Sequence, residues 1–279
     1  MQASLVLDSD PVSDFVAHPP LKVEAHGHAA AALTTAREIT RHRAMLNLLR
    51  SQIDRPEPRP DLTAIRIADT EEQCRLAREL LERMYRRRGY SGSLEGKDDG
   101  APRALVAADY ARGNAIATLT LHPESQKGLY ADRLYGAELD SLRTQGRQLC
   151  EMIRLAADPT IRKSRHLMGA LFHIVFLHAY RLNCCTDLVI EVTPRHAAFY
   201  RRMLGFEIFG DVRWNARVKT SGMLLRLDLD RAADRIRRST ELFGTRLART
   251  LYPWVFPASQ ESIVFQRIVS REPLLALVA

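Results

Sequence analysis

Glu151 and Arg154, in the run LCEMIRLAADP, are the residues of this chain whose types and spacing first suggest a reaction centre. A carboxylate accepts a proton. A guanidinium either grips a substrate carboxylate with two hydrogen bonds or pairs with the acid beside it. The run reads as a β-strand, and strict alternation sends residues 151 and 154 to opposite faces. A β-bulge is needed to bring both into one site. Just beyond lies PTIRKSRHLMG, in which Arg162, Lys163 and Arg165 either attract a phosphate or form an ordinary solvated start to a helix. His173 and His178 fall five apart in an apolar helical stretch, off the usual metal spacing, and read as core or edge histidines. Cys74, Cys150, Cys184 and Cys185 show no Cys-x-x-Cys spacing and read as reduced thiols.

The elements that must position these groups follow a regular order. Residues 62–68 alternate apolar and polar as a half-buried strand does. Asp69 and Thr70 can cap a helix with Glu71 and Glu72 in its first turn and an apolar face of Cys74, Ala77, Leu80, Leu81 and Met84. Two β-rich runs, 104–108 and 115–121, form a hairpin, and residues 130–144 are helix-like. The strand at Leu149 leads to a helix over 163–182, the strand DLVIEV at 187–192, the turn and helix TPRHAAFYRRMLGF at 193–206, and the strand GMLLRLDL at 222–229. An α/β fold with a mixed sheet and helices on both faces is the economical solution. Residues 61–230 form this core. Ahead of it, residues 1–60 comprise an arm, a basic helix and the proline linker RPEPRP. After it, residues 231–279 comprise an amphipathic helix with Ile236, Phe243, Leu247 and Leu251, and an aromatic, proline-broken tail.

Composition narrows the classes. The 279 residues are 46% hydrophobic and 27% charged, ordinary for a soluble protein. A net charge of +8 is compatible with an acidic partner (nucleic acid, anionic lipid, phosphate or an acidic carrier protein), although most basic chains have none in particular. Basic residues are scattered, with no helix-turn-helix or zinc pattern, which argues against nucleic acid. No signal peptide is evident, and the apolar stretch GALFHIVFLHAY is too short to span a bilayer, so a cytoplasmic location is expected. The amphipathic C-terminal helix and the YPWVF segment either rest on a membrane surface or pack on the core or a second subunit.

The order of these elements, with FYRRMLGF closing the second helix, resembles the GNAT acyltransferase fold. The segments RLARELLERMYRRRGY, YADRLYGAEL, GRQLCEMIRLAADP and PRHAAFY resemble the long-chain N-acyl amino acid synthases, GNAT relatives of the acyl-homoserine-lactone synthases. The resemblance covers residues from about 63 to 229. It implies a mostly antiparallel central sheet with splayed central strands, and terminal helical extensions outside it.

The resemblance also implies an activity, with no permanently bound cofactor. An acyl group on the 4'-phosphopantetheine of acyl carrier protein, or of coenzyme A, would pass to the α-amine of an amino acid. Glu151 stands at the family's glutamate and implies the proton acceptor, and Arg154 the acceptor-carboxylate ligand. Tyr200 stands at the GNAT tyrosine that protonates the departing thiolate. Glu191, ending the neighbouring strand, is a further base candidate. The family's pyrophosphate loop corresponds to PTIRKSRHLMG, but its glycine positions hold Arg165 and Leu167, leaving Arg162, Lys163 and Arg165 to attract phosphate through side chains. Met152 and Phe172 are candidates for an acyl groove. An acidic carrier protein suits arginines 83, 86, 87 and 88 at the end of the first core helix. The alternatives are an acyl-homoserine-lactone synthase, a coenzyme A-dependent GNAT, and a catalytically silent GNAT-like binding protein.

Overall fold

The computed structural model describes residues 64–87, 103–109, 114–159, 165–216, 218–239, 249–272 and 274–275. The expected N-terminal arm, basic helix and linker lie outside the described residues, as do Arg162, Lys163 and Arg88. The chain runs β1 (Ala64–Ile67), α1 (Glu71–Arg86), β2 (Arg103–Asp109), β3 (Asn114–Pro123), α2 (Asp132–Thr144), β4 (Leu149–Ala157), α3 (Arg165–Phe176) and β5 (Asp187–Val192). It continues with α4 (Pro194–Leu204), β6 (Glu207–Ile208), β7 (Arg213–Asn215), β8 (Thr220–Asp228), α5 (Leu229–Arg237), α6 (Ala258–Ser270) and β9 (Leu274–Leu275). The strands form one sheet in the order β6-β8-β5-β4-β3-β2-β1-β9, with β7 beside β8. Every pairing is antiparallel except that of β4 with β5.

Local sequence explains most boundaries. The Thr70 hydroxyl accepts the Gln73 amide at 3.3 Å while the Gln73 side chain accepts the Thr70 amide at 3.5 Å, a capping box that starts α1. Pro194 sits in the first turn of α4, and Gly205, with φ 79°, ends it in the left-handed conformation. The last long strand stops one residue earlier than its apolar pattern predicts. The Asp228 carboxylate accepts the Arg231 amide at 3.0 Å and turns Leu229 into the first residue of α5. The helix expected over 163–182 is α3 followed by a π-helical turn, Leu177–Leu182.

Each face of the sheet has its own cover. On one face Cys150, Met152, Leu155 and Ala157 of β4 and Leu188, Ile190 and Val192 of β5 pack with Leu171, Val175 and Tyr200 from α3 and α4. On the other, α1 packs Leu80, Leu81 and Tyr85 near Ala115 and Ala156, while α2 packs Tyr135, Leu139 and Leu142 against Leu149, Val189 and Leu224. The C-terminal apolar groups go to the core. Ile236, Leu251, Tyr252 and Phe256 are buried with the first face, and α6 adds Val264 and Ile268. Residues 240–248, with Phe243 and Leu247, lie outside the described residues. Among the described residues no helix is long and apolar enough to cross a membrane.

Candidate active site

The two parallel strands at the centre of the sheet meet and then part. Leu149, Cys150 and Glu151 of β4 pair with Asp187, Leu188 and Val189 of β5, and there the pairing stops, although β4 runs on to Ala157 and β5 to Val192. The paired end is fastened by charge. Asp187, fully buried, takes hydrogen bonds from Arg147 Nε and, at 2.6 Å, from Arg226 Nε, and Arg147 also reaches Asp228 at 2.9 Å. A splay between parallel strands leaves peptide groups of both edges free to take an extended ligand as an added strand.

The bulge that the Glu151–Arg154 spacing called for is present. Opposite β3, Ile153 faces Thr120 and Ala156 faces Thr118, so β4 spends one residue more than its partner. Arg154 absorbs the difference with φ 55°, a value uncommon for a residue with a side chain. Beyond the bulge, Leu155 joins Cys150 and Met152 on one face and Ala156 turns to α1 on the other.

Glu151 is fully buried, and its Oε2 accepts the backbone amides of Tyr130 at 2.7 Å and Ala131 at 3.2 Å. Those amides open α2, where the helix dipole favours an anion. The carboxylate therefore fixes the turn ahead of α2 to the last paired residue of β4. Arg154 is half-buried at the bulge.

Tyr200 lies in α4, the helix that follows β5, with no exposed surface. Its ring meets Phe206 edge-on at 5.7 Å, yet its hydroxyl has no hydrogen-bond partner among the described residues. Burial pushes the phenol well above its ordinary value, and neighbouring Tyr85 of α1 adds to the shift. Tyr200 is thus a neutral O–H donor at neutral pH. Glu191, near the end of β5, shares a face with Val189 by alternation, and Val189 stands beside Glu151. Both carboxylates therefore leave the same face of the sheet.

Of the remaining candidates, Arg165 is exposed at the first residue of α3. Phe172 lines a small apolar cavity of about 30 Å³, bounded also by Leu188, Phe206, Ile236, Leu251 and Tyr252. Met152 lies in the same core but not in the wall of that cavity. His173 is structural: its Nδ1 accepts the Phe256 amide at 3.0 Å, and its Nε2 stands 3.5 Å from Glu261 of α6. Arg83 stands 3.9 Å from Asp158 and Arg86 4.0 Å from Glu82, both at the exposed end of α1. Sequence reasoning missed Tyr85, Tyr135 and Asn215, whose sequence distance from the centre hides them.

Known proteins share this fold. No curated protein matches the chain in sequence. FeeM, an N-acyl amino acid synthase from uncultured soil microbes, superposes with a TM-score of 0.56 at 22% identity, over 62% of this chain and 94% of that one. An acyl-CoA N-acyltransferase from Pseudomonas aeruginosa follows with a TM-score of 0.44 at 18% identity, over 59% and 98%. The AHL synthase LasI gives a TM-score of 0.43 at 15% identity, over 60% and 89%. The family model described as N-acyl amino acid synthase FeeM matches residues 76–228, more than half of the chain, and contains β4, β5 and α4 entire. The chain is a GNAT-like N-acyltransferase and belongs to the FeeM family of N-acyl amino acid synthases.

Proposed function

We propose that this N-acyltransferase moves a long acyl chain from the 4'-phosphopantetheine thioester of acyl carrier protein to the α-amine of an amino acid. The observation that carries the reading is the Tyr200 hydroxyl, buried without a partner on the helix that follows the splayed strand. A buried hydroxyl left unbonded is costly to the fold. A thioester sulfur entering between β4 and β5 supplies the missing acceptor. As the C–S bond breaks, the departing thiolate takes the Tyr200 proton, and the phenolate regains one from the nitrogen that has just formed the new C–N bond.

The bulge supports the first half of the step. Backbone N–H groups of β4 at the bulge polarise the thioester carbonyl, whose oxygen gains charge on attack. Arg154 binds the acceptor's carboxylate, and Glu151, through its hold on residues 130 and 131, shapes the acceptor's side of the gap. Arg165, with Arg162 and Lys163 beside it in sequence, meets the phosphate of the prosthetic arm. The distal acyl chain runs along the apolar face to which Met152 and Phe172 both belong, widening the small cavity at Phe172 as it enters. The net charge of +8 suits an acidic carrier. No resident cofactor is needed, and the protein works in the cytoplasm.

The test is an incubation of the full chain with a long-chain acyl carrier protein thioester and pooled amino acids, read by mass spectrometry, with the matching acyl-coenzyme A alongside. An N-acyl amino acid formed faster from the carrier thioester supports the proposal. Product from coenzyme A alone overturns the donor, and no product from either overturns the reaction.

A further inference from the structure

Glu191 is built into its place with more care than a strand-end carboxylate needs. Its Oε1 accepts the side-chain amide of Asn215 at 2.8 Å, and Asn215, on β7, is itself buried. Gly222 on β8 makes the room: a Cβ there would stand 2.3 Å from that oxygen. The other oxygen, Oε2, is buried and has no hydrogen-bond partner among the described residues. Arg213, two residues before Asn215 on β7, is engaged elsewhere. Its guanidinium bonds Glu138 and the Leu134 carbonyl and lies 4.7 Å from the centre of the Tyr135 ring.

A buried carboxylate oxygen with nothing to bond is a seat for a donor that arrives from outside. Its position limits what that donor is. Glu191 leaves the sheet on the same face as Glu151, two residues past the last β4–β5 pair, at the open end of the gap. On the proposed reading, an amino group must reach the thioester there. It arrives as an ammonium ion and must lose a proton before its lone pair can attack.

We propose that Glu191, held by Asn215 over Gly222, is the seat of the acceptor's α-ammonium group and takes its proton before attack. The inference rests on the amino-acid acceptor proposed above and replaces Glu151 by Glu191 as the base. One N–H bond breaks and one O–H bond forms at Oε2, leaving a neutral amine beside a neutral carboxylic acid. The amine then forms the C–N bond as the C–S bond breaks, and Glu191 returns its proton to water after the product leaves. Burial raises the Glu191 carboxyl above its ordinary range, against the opposing hydrogen bond from Asn215, which strengthens it as a base. The groups that face it from neighbouring elements are Tyr135 of α2 and Asn215 of β7. Burial, with Glu191 next, pushes the Tyr135 phenol up to about 12, so it stays neutral through the working range.

The experiment measures kcat/KM against pH for the full chain, Glu191→Gln and Asn215→Ala, using whichever primary amine the wild-type protein acylates. In the wild type, kcat/KM rises with pH as Glu191 loses its proton. Glu191→Gln is expected to lose roughly 100-fold in kcat/KM and this rising limb, while melting no lower than the wild type. Asn215→Ala removes the bond that lowers the Glu191 value, so its limb moves to higher pH. A glutamine variant within about threefold of wild type overturns the inference, and so does one that slows but keeps the limb. Failure of the wild type to acylate amino acids would count against the acceptor reading alone. The profile with another amine still decides the role of Glu191.

Discussion

β4 and β5 are joined at one end and apart at the other, and the two ends treat their polar groups differently. At the joined end Asp187 is buried among Arg147, Arg226 and Thr186, and Glu151 Oε2 bonds two backbone amides. At the open end Glu191 Oε2 is buried with no partner among the described residues and Arg154 holds a positive φ, and on the helix that follows β5 the Tyr200 hydroxyl is buried without a partner as well. Satisfied buried charge fastens a structure; unsatisfied buried polarity costs the fold and persists where a ligand completes it. The contrast teaches where to look for chemistry on one sheet whose two ends carry similar residue types.

The sharpest break of this contrast is at the joined end. Asp187→Ala leaves two arginines facing a buried gap and is expected to cost about 3 kcal/mol, the lower end for breaking a buried ion pair because both arginine heads are partly wet. Urea unfolding measures it, and a loss below about 1 kcal/mol would make the clamp an ordinary surface network. Next comes Tyr200→Phe on α4. The expected result is a roughly 100-fold fall in kcat with KM unchanged and stability equal or higher, since the hydroxyl removed has no partner among the described residues. A clear loss of stability would mean that the hydroxyl has a structural partner after all. A smaller change follows from Ile236→Phe, which adds bulk to the cavity wall. The preferred acyl chain is expected to shorten, measured as the ratio of kcat/KM for long and short donors.

The smallest effect concerns the packing of α6. His173, and then Arg181, holds the Glu261 carboxyl below its ordinary value. A carboxylate lowered on folding stabilises above its unfolded value, near 4.3, and loses that contribution as pH falls through its folded value. Glu261→Gln is therefore expected to lower Tm slightly at pH 7 and not at all once the wild-type carboxylate is protonated. A gap that persists in acid would assign the effect to packing rather than charge.

Much of this was legible in the residues. The alternation of apolar types gave the strand and helix order, and Asp69 and Thr70 followed by Glu71 and Glu72 marked the start of α1. The spacing of Glu151 and Arg154 demanded the bulge that β4 contains. The site was less legible, because its meaning lies in distant partners. Glu191 reads as a weaker base candidate than Glu151 until Asn215, 24 residues on, is seen against it. Glu151 reads as a free base until the amides 20 and 21 residues upstream are seen to hold it. Helix α6 escaped notice because the prolines before it suggested an irregular tail, although Val264 and Ile268 stand at helical spacing.

The measurement that bears most directly on the central claim is single-turnover transfer from a long-chain acyl carrier protein thioester to an amino acid, followed by mass spectrometry. The wild type and Tyr200→Phe are compared at equal folded concentration. An N-acyl amino acid product from the wild type, formed far more slowly by the phenylalanine variant, is the predicted result. Equal rates from the two proteins would contradict the claim that the open end of the β4–β5 gap carries the chemistry.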